Sequence, residues 1–146
     1  MPNVQAILDM KGSHVFSIPE DQTVLTAAHT MNQHRVGALV VTRAEKVIGI
    51  FTERDVLCRV VATGCDPAQT LVKDVMSTPV ACCTPDTTHD ECRAAMRNRR
   101  IRHLPVVHEG HLVGIVSIGD VLAALEAVQG QTIRYLYEYM YGAWDT

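Results

Sequence analysis

The 146-residue sequence has no long apolar run. Its apolar runs, such as residues 37–41 and 47–51, fall far short of the roughly 20 residues a membrane-spanning helix needs. Residues 1–9 lack a basic region followed by an apolar stretch, so no secretory leader is expected. Neither sign of charge dominates. A formal net charge of −3 leaves no electrostatic footprint for nucleic acid or an anionic membrane. The five cysteines, Cys58, Cys65, Cys82, Cys83 and Cys92, are odd in number and form no C-x-x-C, which suits a reducing, cytoplasmic setting. A P-loop, a dinucleotide-binding glycine fingerprint, a closed set of metal ligands and a nucleophile–base pair are all missing from the sequence. The expectation is a protein without catalytic function and without a metal. A hydrophobic content of 47% excludes a disordered chain.

What is present is a repeat. Displacing the sequence against itself by 65 residues aligns Val15 with Val80, Asp21 with Asp86, Thr23 with Thr88 and Met31 with Met96. The same offset aligns Arg35 with Arg100, Leu39 with Leu104, Gly49-Ile50 with Gly114-Ile115, and Asp55-Val56-Leu57 with Asp120-Val121-Leu122. No gap is needed. Two copies are too few for a solenoid, so a pseudo-symmetric pair is expected.

Each copy reads as β-α-β-β-α. A short extended piece (14–18; 80–83) leads into a helix whose N-cap is Thr23 or Thr88, the latter with Glu91 at capping-box spacing. Two apolar strands follow, 38–41 and 47–51 in copy one and 103–107 and 112–116 in copy two, joined by polar hairpin turns. A second helix opens at Thr52 or Ser117. The fold class expected is α+β, with the two copies packed about a pseudo-twofold axis and a helical tail at the C-terminus. The expected divisions are 1–66, 67–128 and 129–146. In the tail, Ile133, Leu136, Tyr137, Met140 and Tyr141 recur at helical spacing and Trp144 follows. A helix this short must pack on something, either its own subunit, a second copy or a partner.

Val72-Lys73-Asp74-Val75-Met76-Ser77, Arg100-Ile101-Arg102-His103-Leu104-Pro105-Val106-Val107, and Leu112-Val113-Gly114-Ile115-Val116-Ser117 with Asp120-Val121-Leu122 together resemble the CBS domain. Copy one, with Gly37-Ala38-Leu39-Val40-Val41 and Gly49-Ile50-Phe51-Thr52-Glu53-Arg54-Asp55, is similar. The whole looks like a small bacterial protein built only of a CBS pair. The resemblance implies a disc-like homodimer and clefts for adenosine-containing ligands: AMP, ADP, ATP, NAD or S-adenosylmethionine. It implies a regulatory sensor acting on another protein. A structural module with empty or weakly binding clefts is the alternative.

An adenosine phosphate carries a vicinal diol, which an ionised carboxylate can accept in charge-assisted hydrogen bonds. Asp55 and Asp120 are the candidates, with Thr52 and Ser117 at the same helix entrances, where exposed N–H groups attract phosphate. Val15, Val80, Ala38 and Leu104 would wall an adenine slot. Arg54, Arg102 and His103 would meet phosphate, with Arg35 and Arg100 behind them. The resemblance implies a crossed use: Arg102 and His103 with Asp55, Arg54 with Asp120. Because Gly37-Ala38 replaces Arg102-His103, and Gly119 replaces Arg54, unequal clefts are expected. The bland reading stands beside this one. Thr52-x-x-Asp55 and Ser117-x-x-Asp120 are also ordinary helix caps, the run 97–102 is also a solvated helix end, and His108 and His111 flank a turn.

Overall fold

The computed structural model of the chain describes residues 2–129, and the aromatic tail discussed above lies outside them. The elements run α1 (Val4–Lys11), β1 (Ser17–Pro19), α2 (Val24–His34), β2 (Ala38–Arg43) and β3 (Lys46–Thr52). Then come α3 (Glu53–Asp55), a π-helical stretch (Val56–Val61), α4 (Val72–Val75), α5 (His89–Arg99), β4 (His103–His108), β5 (His111–Ser117) and α6 (Ile118–Gln129). The fold is α+β, as expected. Two compact units divide the described residues, one of residues 15–81, the other of residues 2–14 with 82–129.

In the first unit β1 pairs parallel to β2, and β2 antiparallel to β3. The alternation of strand residues buries Ile18, Leu39, Val41 and Phe51 against Val24, Ala27 and Met31 of α2, with Val60, Val72 and Val75 completing the core. Thr23 caps α2, its hydroxyl accepting the Thr26 N–H at 3.2 Å. The hairpin turn places Ala44 and Glu45 at positive φ, as a two-residue turn of this twist requires. The segment beyond α3 differs from a plain helix. It relaxes into a π-helical stretch that buries Val60 but leaves Leu57 and Val61 each 62% exposed.

The second unit repeats the α-β-β-α order, and β4 and β5 form the same hairpin. Thr88 and Glu91 make the capping box, each side chain bonded to the other's backbone N–H. The extended piece expected at 80–83 shrinks to one bridge, Cys83 against Val106. The reason is a pair of prolines. In the first unit the Val40 N–H donates to the Phe16 carbonyl at 3.1 Å, and the Glu20 N–H to the Thr42 carbonyl at 3.1 Å. The residues 65 positions after Val40 and Glu20 are Pro105 and Pro85, which have no N–H to give. Cys83 is buried and Cys82 exposed, as neighbours in an extended segment should be.

The compact units do not follow the division expected at residue 66, because each is completed by the segment that precedes the other repeat. Leu71-Val72 and α4 stay with the first unit: Val72 N–H donates to Gln22 O (2.8 Å) and Lys73 N–H to Glu20 O (3.0 Å). The N-terminal lead-in, expected with the first repeat, packs on the second. Val4 N–H donates to Thr87 O (2.8 Å) and Gln5 N–H to Pro85 O (3.0 Å). These are equivalent partners, since Thr87 and Pro85 stand 65 residues after Gln22 and Glu20. The apolar contacts match too. A Cβ on Gly49 would lie 2.5 Å from Met76 Sδ, and one on Gly114 would lie 2.7 Å from a Leu8 methyl. Glycine at both places lets the added helix approach the strand. Val4, Ile7 and Leu8 are buried, so α1 is held by its apolar face as well as its backbone.

Candidate functional site

The two carboxylates singled out by the repeat sit where a strand passes into a helix. In the first unit, the Thr52 N–H donates to Asp55 Oδ2 at 3.0 Å and the Asp55 N–H to Thr52 Oγ1 at 3.2 Å. In the second, the Ser117 N–H donates to Asp120 Oδ2 at 2.8 Å and the Asp120 N–H to Ser117 Oγ at 3.1 Å. Each pair is a capping box with aspartate in the third position, so the structure makes the cap a fact in both copies. A carboxylate has two oxygens and about four acceptor positions, and the cap takes one of them. The cap and a ligand contact are therefore compatible uses of one side chain.

The remaining partners distinguish the two. Asp55 is buried, and its Oδ1 accepts the Ser77 hydroxyl at 2.9 Å, with Arg59 Nε at 3.7 Å. Ser77 comes from the segment after α4. Asp120 is more open, and its Oδ2 accepts the ammonium of Lys11 at 2.7 Å. Lys11 also donates to the Ile115 carbonyl at 2.9 Å. Neither Ser77 nor Lys11 is among the site residues that the sequence points to. Ser77 stands 22 residues from its aspartate and Lys11 stands 109 from its own. A basic residue in the last turn of an amphipathic helix was the one visible signal for Lys11, and it normally reads as a match to the helix dipole.

The other candidates fall into two groups. The first unit holds Val15, Ala38, Thr52, Arg54, Asp55 and Val80. Ala38 pairs with Thr52 across the hairpin, Val15 and Val80 are half-buried, and Arg54 is exposed on α3. The second unit holds Arg102, His103, Leu104, Ser117 and Asp120. His103 pairs with Ser117. Burial pulls its imidazole below the ordinary histidine range. The Asp120 carboxylate works against that, while Lys11 and Arg102 add to it. Arg102 is exposed, and its carbonyl accepts the Ile118 N–H at 2.9 Å. Leu104 is 1% exposed and belongs to the core of its unit. Arg35 and Arg100 occupy matching left-handed positions that end α2 and α5, at φ 55° and 54°. They are helix stops first, in a place glycine usually fills. His108 and His111 face each other across the β4–β5 turn. A groove of about 480 Å³ lined by Asp90, Arg93, Met96, Arg97, Ile101 and Ile118 runs beside α5 and contains neither carboxylate. No helix among the described residues is long and apolar enough to cross a membrane.

Comparison with known proteins agrees with this geometry. The family described as the CBS domain matches residues 8–62 and 72–127. The chain is 36% identical over 117 residues to the CBS domain-containing protein YhcV of Bacillus subtilis, covering 80% of this chain and 83% of that protein. It is 36% identical over 129 residues to the mitochondrial CBS domain-containing protein CBSX3 of Arabidopsis thaliana. That match covers 85% of this chain but 63% of the plant protein, less than two thirds of its length. Among solved structures, a candidate signal-transduction protein with CBS domains from Burkholderia ambifaria superimposes with a TM-score of 0.85 at 35% identity, covering 90% of this chain and 98% of that one. Two in-register repeats, two capped aspartates and these matches lead to one conclusion: the chain belongs to the CBS-domain family and carries two copies of the domain.

Proposed function

We propose that this CBS pair is a regulatory module that binds an adenine nucleotide, AMP, ADP, ATP or NAD, and acts in signal transduction or metabolic regulation, as a homodimer in the cytoplasm. The observation that carries the reading is the repeated hydroxyl–carboxylate pair at the strand-to-helix junction, Thr52 with Asp55 and Ser117 with Asp120. A carboxylate whose cap bond uses one acceptor position retains others for a ribose diol. Arg54 and Arg59 in the first unit, and Lys11, Arg102 and His103 in the second, are basic groups near these junctions, and they suit a phosphate. Calorimetric titration with AMP, ADP, ATP and NAD tests the reading. Saturable binding, weakened for the 2′-deoxy nucleotide, supports it. Absence of heat and of any thermal shift with the whole panel overturns it.

The second reading, an oligomerisation module with idle clefts, is favoured by the exposed Leu57 and Val61 of the π-helical stretch. Light scattering checks the assembly common to both readings. A dimer mass is expected, and a monomer at micromolar concentration contradicts it. Dimer mass together with an unresponsive nucleotide panel would select this second reading.

A further inference from the structure

We infer that Lys11 makes the Asp120 site select its ligand by charge, so that this site favours a phosphorylated nucleotide over the bare nucleoside. The inference rests on the nucleotide reading given above. Its ground is the difference between two equivalent places. On Asp55 the added donor is the neutral Ser77 hydroxyl. On Asp120 it is the Lys11 ammonium, 2.7 Å from Oδ2. Asp55 has a cation of its own, the Arg59 guanidinium, but it stands 3.7 Å away and donates instead to the Met76 carbonyl at 2.7 Å. Of the two carboxylates, Asp120 is therefore the one with a cation in direct hydrogen-bond contact.

Lys11 is held where it is. α1 is tied to the second unit through Val4 and Gln5, Leu8 lies against Gly114, and the Gly12 N–H closes the helix on the Leu8 carbonyl at 2.8 Å. An ammonium has three donors, and Asp120 and the Ile115 carbonyl account for two. The side chains of Lys11 and Asp120 are 33% and 23% exposed, open enough for a ligand to reach the pair. His103 lies within electrostatic reach of Asp120, Lys11 and Arg102, and burial holds its imidazole below the ordinary histidine range.

A diol that approaches Asp120 competes with Lys11 for the carboxylate. An uncharged nucleoside offers the displaced ammonium nothing in return. A phosphate offers it a stronger acceptor, and the same lysine that opposes the nucleoside then favours the nucleotide. The side chain acts by sign of charge and not by shape.

The experiment uses the full chain carrying Asp55→Asn, so that the Asp120 site is read alone. Adenosine and ATP are titrated into that protein and into the same protein with Lys11→Met or Lys11→Arg added. Lys11→Met should weaken ATP binding by about tenfold to a hundredfold, the loss of a charged hydrogen bond, and leave adenosine unchanged or bound more tightly. Lys11→Arg should keep the preference for ATP. The exposed pair contributes little to folding, and melting curves verify that the variants are intact. Equal changes for both ligands, or none for either, overturn the role of Lys11 while the nucleotide reading stands. A parent protein that binds neither ligand overturns both.

Discussion

Asp55 and Asp120 show how one residue type at equivalent positions comes to carry different energies. Asp55 is buried, and its carboxylate accepts the Thr52 N–H and the Ser77 hydroxyl. Replacing it by alanine leaves these donors without an acceptor in a place water reaches poorly, a cost of about 1–3 kcal/mol for each group so stranded. Asp120 is partly exposed and pairs with a partly exposed lysine. Its loss removes a helix-start charge worth about 0.3–1 kcal/mol and a surface pair worth about 0–1 kcal/mol. In urea unfolding without ligand, Asp55→Ala should therefore lower the midpoint clearly more than Asp120→Ala. Equal losses, or the reverse order, would show that burial does not govern the two caps. At this scale the sequence was a good guide to local pairs. Thr52 with Asp55, Ser117 with Asp120, and Thr88 with Glu91 lie three residues apart, and the spacing alone forecasts their reciprocal bonds. Ser77 and Lys11 reach their aspartates only through tertiary packing, which local spacing does not encode.

The elements follow the repeat closely, and they depart from it where one residue changes the chemistry. Both hairpins and both capped helices appear at the same offset. The strand expected before α5 is lost because Pro105 and Pro85 stand where Val40 and Glu20 donate. The lead-in helix is the larger departure. Nothing in residues 4–11 tells which repeat their apolar face will cover, because the helical period gives a face and not a partner. In the structure that face, Val4, Ile7 and Leu8, belongs to the second unit. Burial of side chains of this size contributes about 1.5–3 kcal/mol each. Removing residues 1–11 should thus destabilise the second unit by several kcal/mol, although the first repeat begins directly after the cut. Hydrogen–deuterium exchange reads the difference. Protection should fall first in α5, β4 and β5, and less in β2 and β3. Loss confined to residues 15–81 would contradict the packing of α1 on the second unit.

For the whole molecule, the exchange of lead-in segments means that neither repeat is a complete unit by its own stretch of sequence. Residues 72–75 complete the first unit and residues 4–11 the second. A contiguous cut at residue 66 would take from each unit a helix it buries. That arrangement also sets the contrast between the two carboxylates, since the segment after α4 supplies a hydroxyl and the end of α1 supplies an ammonium. The unequal sites expected from Gly37-Ala38 and Arg102-His103 gain a second source of inequality that no alignment of the repeats displays. The account turns on Asp55 and Asp120 being both caps and ribose acceptors, and paired substitution to asparagine tests this most directly. Asparagine keeps the shape and one acceptor oxygen but removes the charge. Affinity for AMP and ATP by calorimetry should fall by about tenfold to a hundredfold at each altered site, and the Asp55→Asn, Asp120→Asn double variant should lose most binding while remaining folded by circular dichroism. A folded double variant that binds both nucleotides as tightly as the parent would reduce the two aspartates to helix caps and contradict the central claim.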